Sequence, residues 1–110
     1  MATDASFADY VLDQIAAAGQ VSMRKMFGEY AVYCDGKVVA LVCDNQFYLK
    51  PTAGGCAVVG PVTQAPPYPG AKPHLLMADQ LDDRELMGRA VRLTALELPL
   101  PKPRTKPGKR

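Results

Sequence analysis

The sequence predicts an α+β domain: an antiparallel meander sheet of about five strands with helices packed mainly on one face. Two turn signals and one periodicity carry that prediction. Asp35-Gly36 separates two apolar runs, and Asp-Gly is a strong hairpin signal because a type I′ turn needs φ > 0 at both central positions. Asp44-Asn45 repeats the signal more weakly, since both residues tolerate the left-handed region. Successive tight turns require neighbouring antiparallel strands. On either side of this run, apolar residues recur at the ~100° spacing of a helix.

Residues 6–18 read as the first helix, with Phe7, Val11, Ile15 and Ala18 on one face, Ala8 and Leu12 beside them and Asp9 and Asp13 opposite. Thr3, Asp4 or Ser6 can cap its start, and Gly19 suits the left-handed position past its end. Four strands follow: Val21 to Phe27, Glu29 to Cys34, Lys37 to Cys43, and Gln46 to Lys50, with Gly28 as a bend and Pro51 as a stop. Two-residue turns put Val42 opposite Phe47, Ala40 opposite Leu49, and Tyr33 opposite Val38. The third strand is apolar on both faces, which marks a central strand, with Val39 to Val42 its most buried stretch. Residues 51–73 are rich in Pro and Gly and read as mostly irregular chain, with a short turn of helix over Ala53 to Val59. His74 to Met77 is expected as a fifth, edge strand. Residues 82–98 form the last helix, capped by Asp79 or Asp82, with Leu86, Met87, Ala90, Val91, Leu93, Thr94 and Leu98 on its apolar face and Glu85 and Arg89 at pairing distance.

The charge divides the chain into a domain over 1–98 and a tail over 99–110. The tail carries Lys102, Arg104, Lys106, Lys109 and Arg110 with no acid, whereas residues 1–98 are mildly acidic, so the net +2 belongs to the tail. A segment with Pro and Lys and nothing apolar to bury is expected to be disordered and dispensable for folding. No apolar run approaches the ~20 residues of a membrane span, and the start of the chain has no signal-peptide pattern. Cys34, Cys43 and Cys56 are too few and too irregular for a disulfide framework; together these features predict a cytoplasmic protein with reduced thiols. Cys34, across the hairpin from the start of the Lys37 to Cys43 strand, and Cys43, at that strand's far end, are expected to stay separate.

Met26-Phe27-Gly28-Glu29-Tyr30, then Val32-Tyr33-Cys34-Asp35-Gly36-Lys37, then Gln46-Phe47-Tyr48-Leu49-Lys50 together resemble the TfoX N-terminal domain family. Leu81-Asp82-Asp83 fits the same pattern, and the likeness covers roughly residues 7–98. It implies a helix, an antiparallel sheet of about five strands and further helices on one face. For function, it implies a regulatory role like that of the competence regulators after which the family is named. The sequence ends after one domain, without the C-terminal helical domain of the longer regulators.

Candidate chemistry is sparse. Arg24-Lys25-Met26-Phe27-Gly28 puts two cations beside an aromatic, so Arg24, Lys25, Phe27, Tyr30 and Tyr33 are the candidate interaction surface; the bland reading is that Met26 and Phe27 fill core. Gly54-Gly55-Cys56-Ala57-Val58-Val59-Gly60 lacks the Gly-Lys-Ser/Thr of a phosphate loop. The Cys56 thiol has only His74 as a candidate base, some eighteen residues away. With four Cys and His in all, no metal site or cofactor is expected. The chain is therefore read as a non-enzymatic regulatory or protein-interaction module with an unknown protein partner and no membrane contact. The alternative is weak, salt-sensitive nucleic-acid binding by Lys102, Arg104, Lys106, Lys109 and Arg110. Self-association is expected if the 51–73 segment, with Val58, Val59, Val62 and Tyr68, leaves the second sheet face uncovered.

Overall fold

The computed structural model describes residues 3–26 and 29–98. Phe27 and Gly28 of the expected first strand and bend, and the whole 99–110 tail, lie outside the described residues. The elements are α1 (Ala5–Ile15), continued by a 3₁₀ turn over Ala16–Ala18, β1 (Val21–Met26), β2 (Glu29–Cys34), β3 (Lys37–Cys43) and β4 (Gln46–Leu49). Then come α2 (Ala53–Val59), β5 (Gln64–Ala65), β6 (His74–Met77), a 3₁₀ turn over Asp79–Asp82, and α3 (Arg84–Glu97). The fold is α+β: three helices and a six-stranded antiparallel sheet in the order β1-β2-β3-β4-β6-β5.

Both hairpin turns form as the sequence predicts. Asp35, Gly36, Asp44 and Asn45 all adopt positive φ, the conformation that links strands through two residues without splaying them. The pairs Tyr33↔Val38, Ala40↔Leu49 and Val42↔Phe47 are all observed. β3 lies inside the sheet, between β2 and β4. One irregularity was not legible: β2 pairs Val32 with Ala40 but Tyr33 with Val38, leaving Val39 unpaired on that side. This bulge lets consecutive residues Val39 and Ala40 both enter the core. Leu41, by contrast, is only half-buried, so Val39 to Val42 is not uniformly the deepest stretch.

The core lies between the sheet and the helices. Val32, Cys34, Val42, Phe47, Leu49, Leu75 and Met77 from the strands meet Val11 and Ile15 of α1 and Met87, Ala90, Val91 and Ala95 of α3. The 51–73 segment is more regular than expected. Its α2 is capped by Thr52, whose hydroxyl accepts from the Gly55 amide at 3.0 Å. It packs on α3, and Val58, Val59 and Val62 press against the helix-side core. The segment therefore thickens the helix layer. Its last part supplies β5, which pairs with β6, so His74–Met77 is not the edge strand that the sequence suggested.

The helix caps also differ in detail. Asp83, rather than Asp79 or Asp82, caps α3 by accepting from the Leu86 amide at 3.0 Å; the two earlier acids belong to the preceding 3₁₀ turn. Gly19 is glycine-specific but not left-handed helical, at φ 150° and ψ −150°. A Cβ there would meet the Asp35 carboxylate at 3.0 Å. Gln14, unmarked by the apolar pattern, is buried because its Nε2 donates to the Leu81 carbonyl at 2.8 Å.

Candidate functional site

Strand pleating gives the sheet two unlike faces. The helix side is the core. On the other side, the registers align one continuous row across five strands: Arg24, Ala31, Leu41, Tyr48 and Leu76. Tyr33 and Val38 pair in the next row, beside Ser22 of β1. Ala31, Cys43 and Tyr48 are 1%, 8% and 7% exposed, yet none belongs to the helix-side cluster. Tyr33, Val38, Leu41 and Leu76 are half-buried. This apolar sheet face lies opposite the helix-side core.

The sequence-derived surface residues divide between the two sides. Arg24 and Tyr33 share the open face, where they line a shallow hollow with Ser22 and Met23. Lys25 and Tyr30 are cross-strand partners on the helix side, and Tyr30 packs against the core. Phe27, Lys102, Arg104, Lys106, Lys109 and Arg110 are outside the described residues. The sequence could not separate these sides because Arg24 and Lys25 are adjacent, and adjacent strand residues point oppositely.

Glu29 was missed altogether. Its Oε1 accepts from the Thr3 hydroxyl at 2.5 Å and from the Asp44 amide at 3.1 Å. The Asn45 amide donates to the Thr3 hydroxyl at 3.2 Å, and the Asp4 amide to Asn45 Oδ1 at 2.9 Å. One carboxylate thus ties the chain's first described residues to the β3–β4 turn at the acidic end of the open face. These partners are up to 42 residues apart, so no local pattern signals them.

The remaining polar candidates are occupied or buried. Gly54 to Val59 lies in α2, the short helix expected over Ala53 to Val59. His74 Nδ1 lies 2.8 Å from the Lys72 carbonyl, which can only accept, so Nδ1 carries the proton. Cys34, Cys43 and Cys56 are all free thiols. Burial pushes the Cys34 thiol up, with Asp35 adding to the effect. Burial likewise raises Cys43, reinforced by Glu29 and Asp44. Both favour the protonated form in the folded chain. Their contribution to stability is complete below the ordinary thiol value of ~8.5 and is lost as pH rises through the folded values. At pH 8, a thiol reagent should modify the half-buried Cys56 quickly and Cys34 and Cys43 only on unfolding. Rapid modification of all three would contradict this packing.

Among the described residues, no helix is long and apolar enough to cross a membrane.

The family comparison agrees with the likeness noted in the sequence. The TfoX N-terminal domain profile matches residues 13–97, and the chain belongs to that family. It is also 44% identical over 104 residues to a Spirochaeta aurantia protein described as an uncharacterized 12.7 kDa protein in the trpE 5′ region, covering 94% of this chain and 90% of that protein.

Proposed function

We propose that this chain is a non-enzymatic regulatory module that acts by binding a protein partner through the open sheet face. The observation that carries this reading is the cross-strand row of Ala31, Leu41, Tyr48 and Leu76, flanked by Tyr33 and Val38 and ending at Arg24. Interfaces favour such a composition, with Tyr and Arg enriched at an apolar centre. The Cys34 and Cys43 thiols are buried and favour the protonated form, and His74 Nδ1 is bonded to a backbone carbonyl, which also supports binding over catalysis. Membership of the TfoX N-terminal domain family supports a regulatory task, and free thiols suit the cytoplasm.

The test is site-specific photo-crosslinking in cells that make the protein. A crosslinker replacing Tyr33 should give a discrete protein adduct that Leu41→Lys abolishes. One replacing Arg89, exposed on α3, should give none. Equal labelling from both positions would overturn the reading.

The same apolar row favours a second copy of this chain as one such partner. Sedimentation at micromolar concentration reads it directly, as a dimer in the parent and a monomer in Leu41→Lys. Nucleic-acid binding is the alternative that the tail cations suggest; deleting 99–110 should then remove DNA retention at low salt, with the intact chain losing it at high salt.

A further inference from the structure

The outer edge of β1 is open among the described residues, because the sheet begins at β1 and β1 pairs with β2 alone. One hydrogen bond sets the parity of that edge. The Asp35 amide donates to the Gln20 carbonyl at 2.9 Å, one step before the pair Val21↔Cys34. In an antiparallel ribbon bonded and non-bonded pairs alternate, so Ser22 and Arg24 direct their main-chain groups to β2. Val21, Met23 and Lys25 turn theirs outward. A six-residue strand with three outward-facing residues is a template for another strand, whereas the opposite edge, β5, is only two residues long.

Charge decides what can occupy this edge. Arg24 and Lys25 are exposed and project on opposite faces, so an added strand meets a cation on either side. Among the described residues the ion pair formed is Arg84 with Asp13, and neither Arg24 nor Lys25 has a carboxylate partner. The acids at the two ends of the β1–β2 ribbon are already engaged, Glu29 by Thr3 and Asp44, and Asp35 by the Gln20 amide. A second copy's β1 would bring the same two cations against these, and like charges across a strand pair repel. The chain's own 99–110 segment, with five cations and no acid, is excluded for the same reason.

We propose that β1 accepts an extended acidic segment of a partner protein as a seventh strand, with its main chain on Val21, Met23 and Lys25 and its acidic side chains on Arg24 and Lys25. The inference rests on the interaction reading above and names the chemistry of the partner. The hollow lined by Ser22, Met23, Arg24 and Tyr33 receives a side chain of the added strand and joins this edge to the open face.

The probe is a capped decapeptide built on a Glu-Glu-Val-Val repeat, which as a strand carries acids on both faces, added to the full chain and read by amide hydrogen exchange. The Val21, Met23 and Lys25 amides should gain at least tenfold protection. Those of Ser22 and Arg24, already bonded to β2, should not change. The matching Lys-Lys-Val-Val peptide should protect none of them. Met23→Pro removes one outward N–H and no β2 bond, and should weaken the Glu-Glu-Val-Val peptide at least tenfold. Should that variant unfold, Arg24→Glu with Lys25→Glu carries the same test at two exposed positions, by reversing the preference between the two peptides. No protection at these three amides with millimolar Glu-Glu-Val-Val peptide overturns the proposal. So does stronger protection of the same amides by an oligothymidylate, which would make the edge a phosphate surface. A retained Tyr33 crosslink with no edge protection removes only the acidic strand; loss of both removes the interaction reading as well.

Discussion

Phe47→Ala should lower the unfolding free energy by about 3–5 kcal/mol, the range for truncating a buried aromatic. Phe47 is fully buried on β4, where Val42 and Met77 are its cross-strand partners on the helix side. Its ring therefore joins the two halves of the sheet beneath the helices, and those rigid neighbours can only partly close the space it leaves. A domain of this size has a total stability of only about 5–15 kcal/mol, so the variant should lose a large share of it and melt at least ~10 °C lower. Leu41→Ala, one strand away on the open face, should cost less than the ~2 kcal/mol floor for a fully buried leucine. Urea unfolding of the two variants reads the difference. Equal losses would mean that the open face is packed like the core.

Gly55→Val should detach α2 from α3. A Cβ at Gly55 would lie 2.7 Å from the Thr94 hydroxyl and 2.9 Å from that of Thr52, and Thr94 is fully buried. The valine therefore pushes on both the capping residue of α2 and the C-terminal part of α3. Overpacking of this kind costs about 1–3 kcal/mol, and its β-branch puts the effect toward the upper end. Thr94→Ala added to Gly55→Val should recover part of the loss, because it removes one of the two hydroxyls in the way. Exchange at the Cys56 and Gly60 amides, which bond to Thr52 and Cys56, should rise in the single variant. An unchanged melting temperature and unchanged exchange would place α2 elsewhere.

The contrast between these two residues shows what the sequence could reveal. Phe47 was legible because strand alternation and the two turn signals fix the register from Tyr33 to Leu49, and register decides which side chains meet the helices. The short helix over Ala53 to Val59 was legible, but the reason for its glycines was not. Gly54 and Gly55 are poor helix formers, and only the distant Thr94 shows why a residue without a Cβ is needed. The same holds for β5 and for the Glu29, Thr3 and Asn45 bonds, which come from tertiary contacts with no local signature. Among the candidate surface residues, Arg24 and Tyr33 share one face, while Lys25 and Tyr30 lie on the other. The bulge at Val39 was invisible because each face of β3 is apolar, so a one-residue irregularity left the pattern unchanged.

The proposed interaction surface requires Val38, Leu41 and Leu76 on the second sheet face to be accessible. Methyl-labelled full chain with a soluble paramagnetic agent tests that directly, across a dilution series that separates cover by its own loops from cover by a second copy. The Val38, Leu41 and Leu76 methyls should be strongly broadened at the lowest concentration, while those of Val32, Val42, Leu49 and Leu75 stay sharp. If the first group is as protected as the second at every dilution, the chain itself covers that face and the proposed interaction surface does not exist.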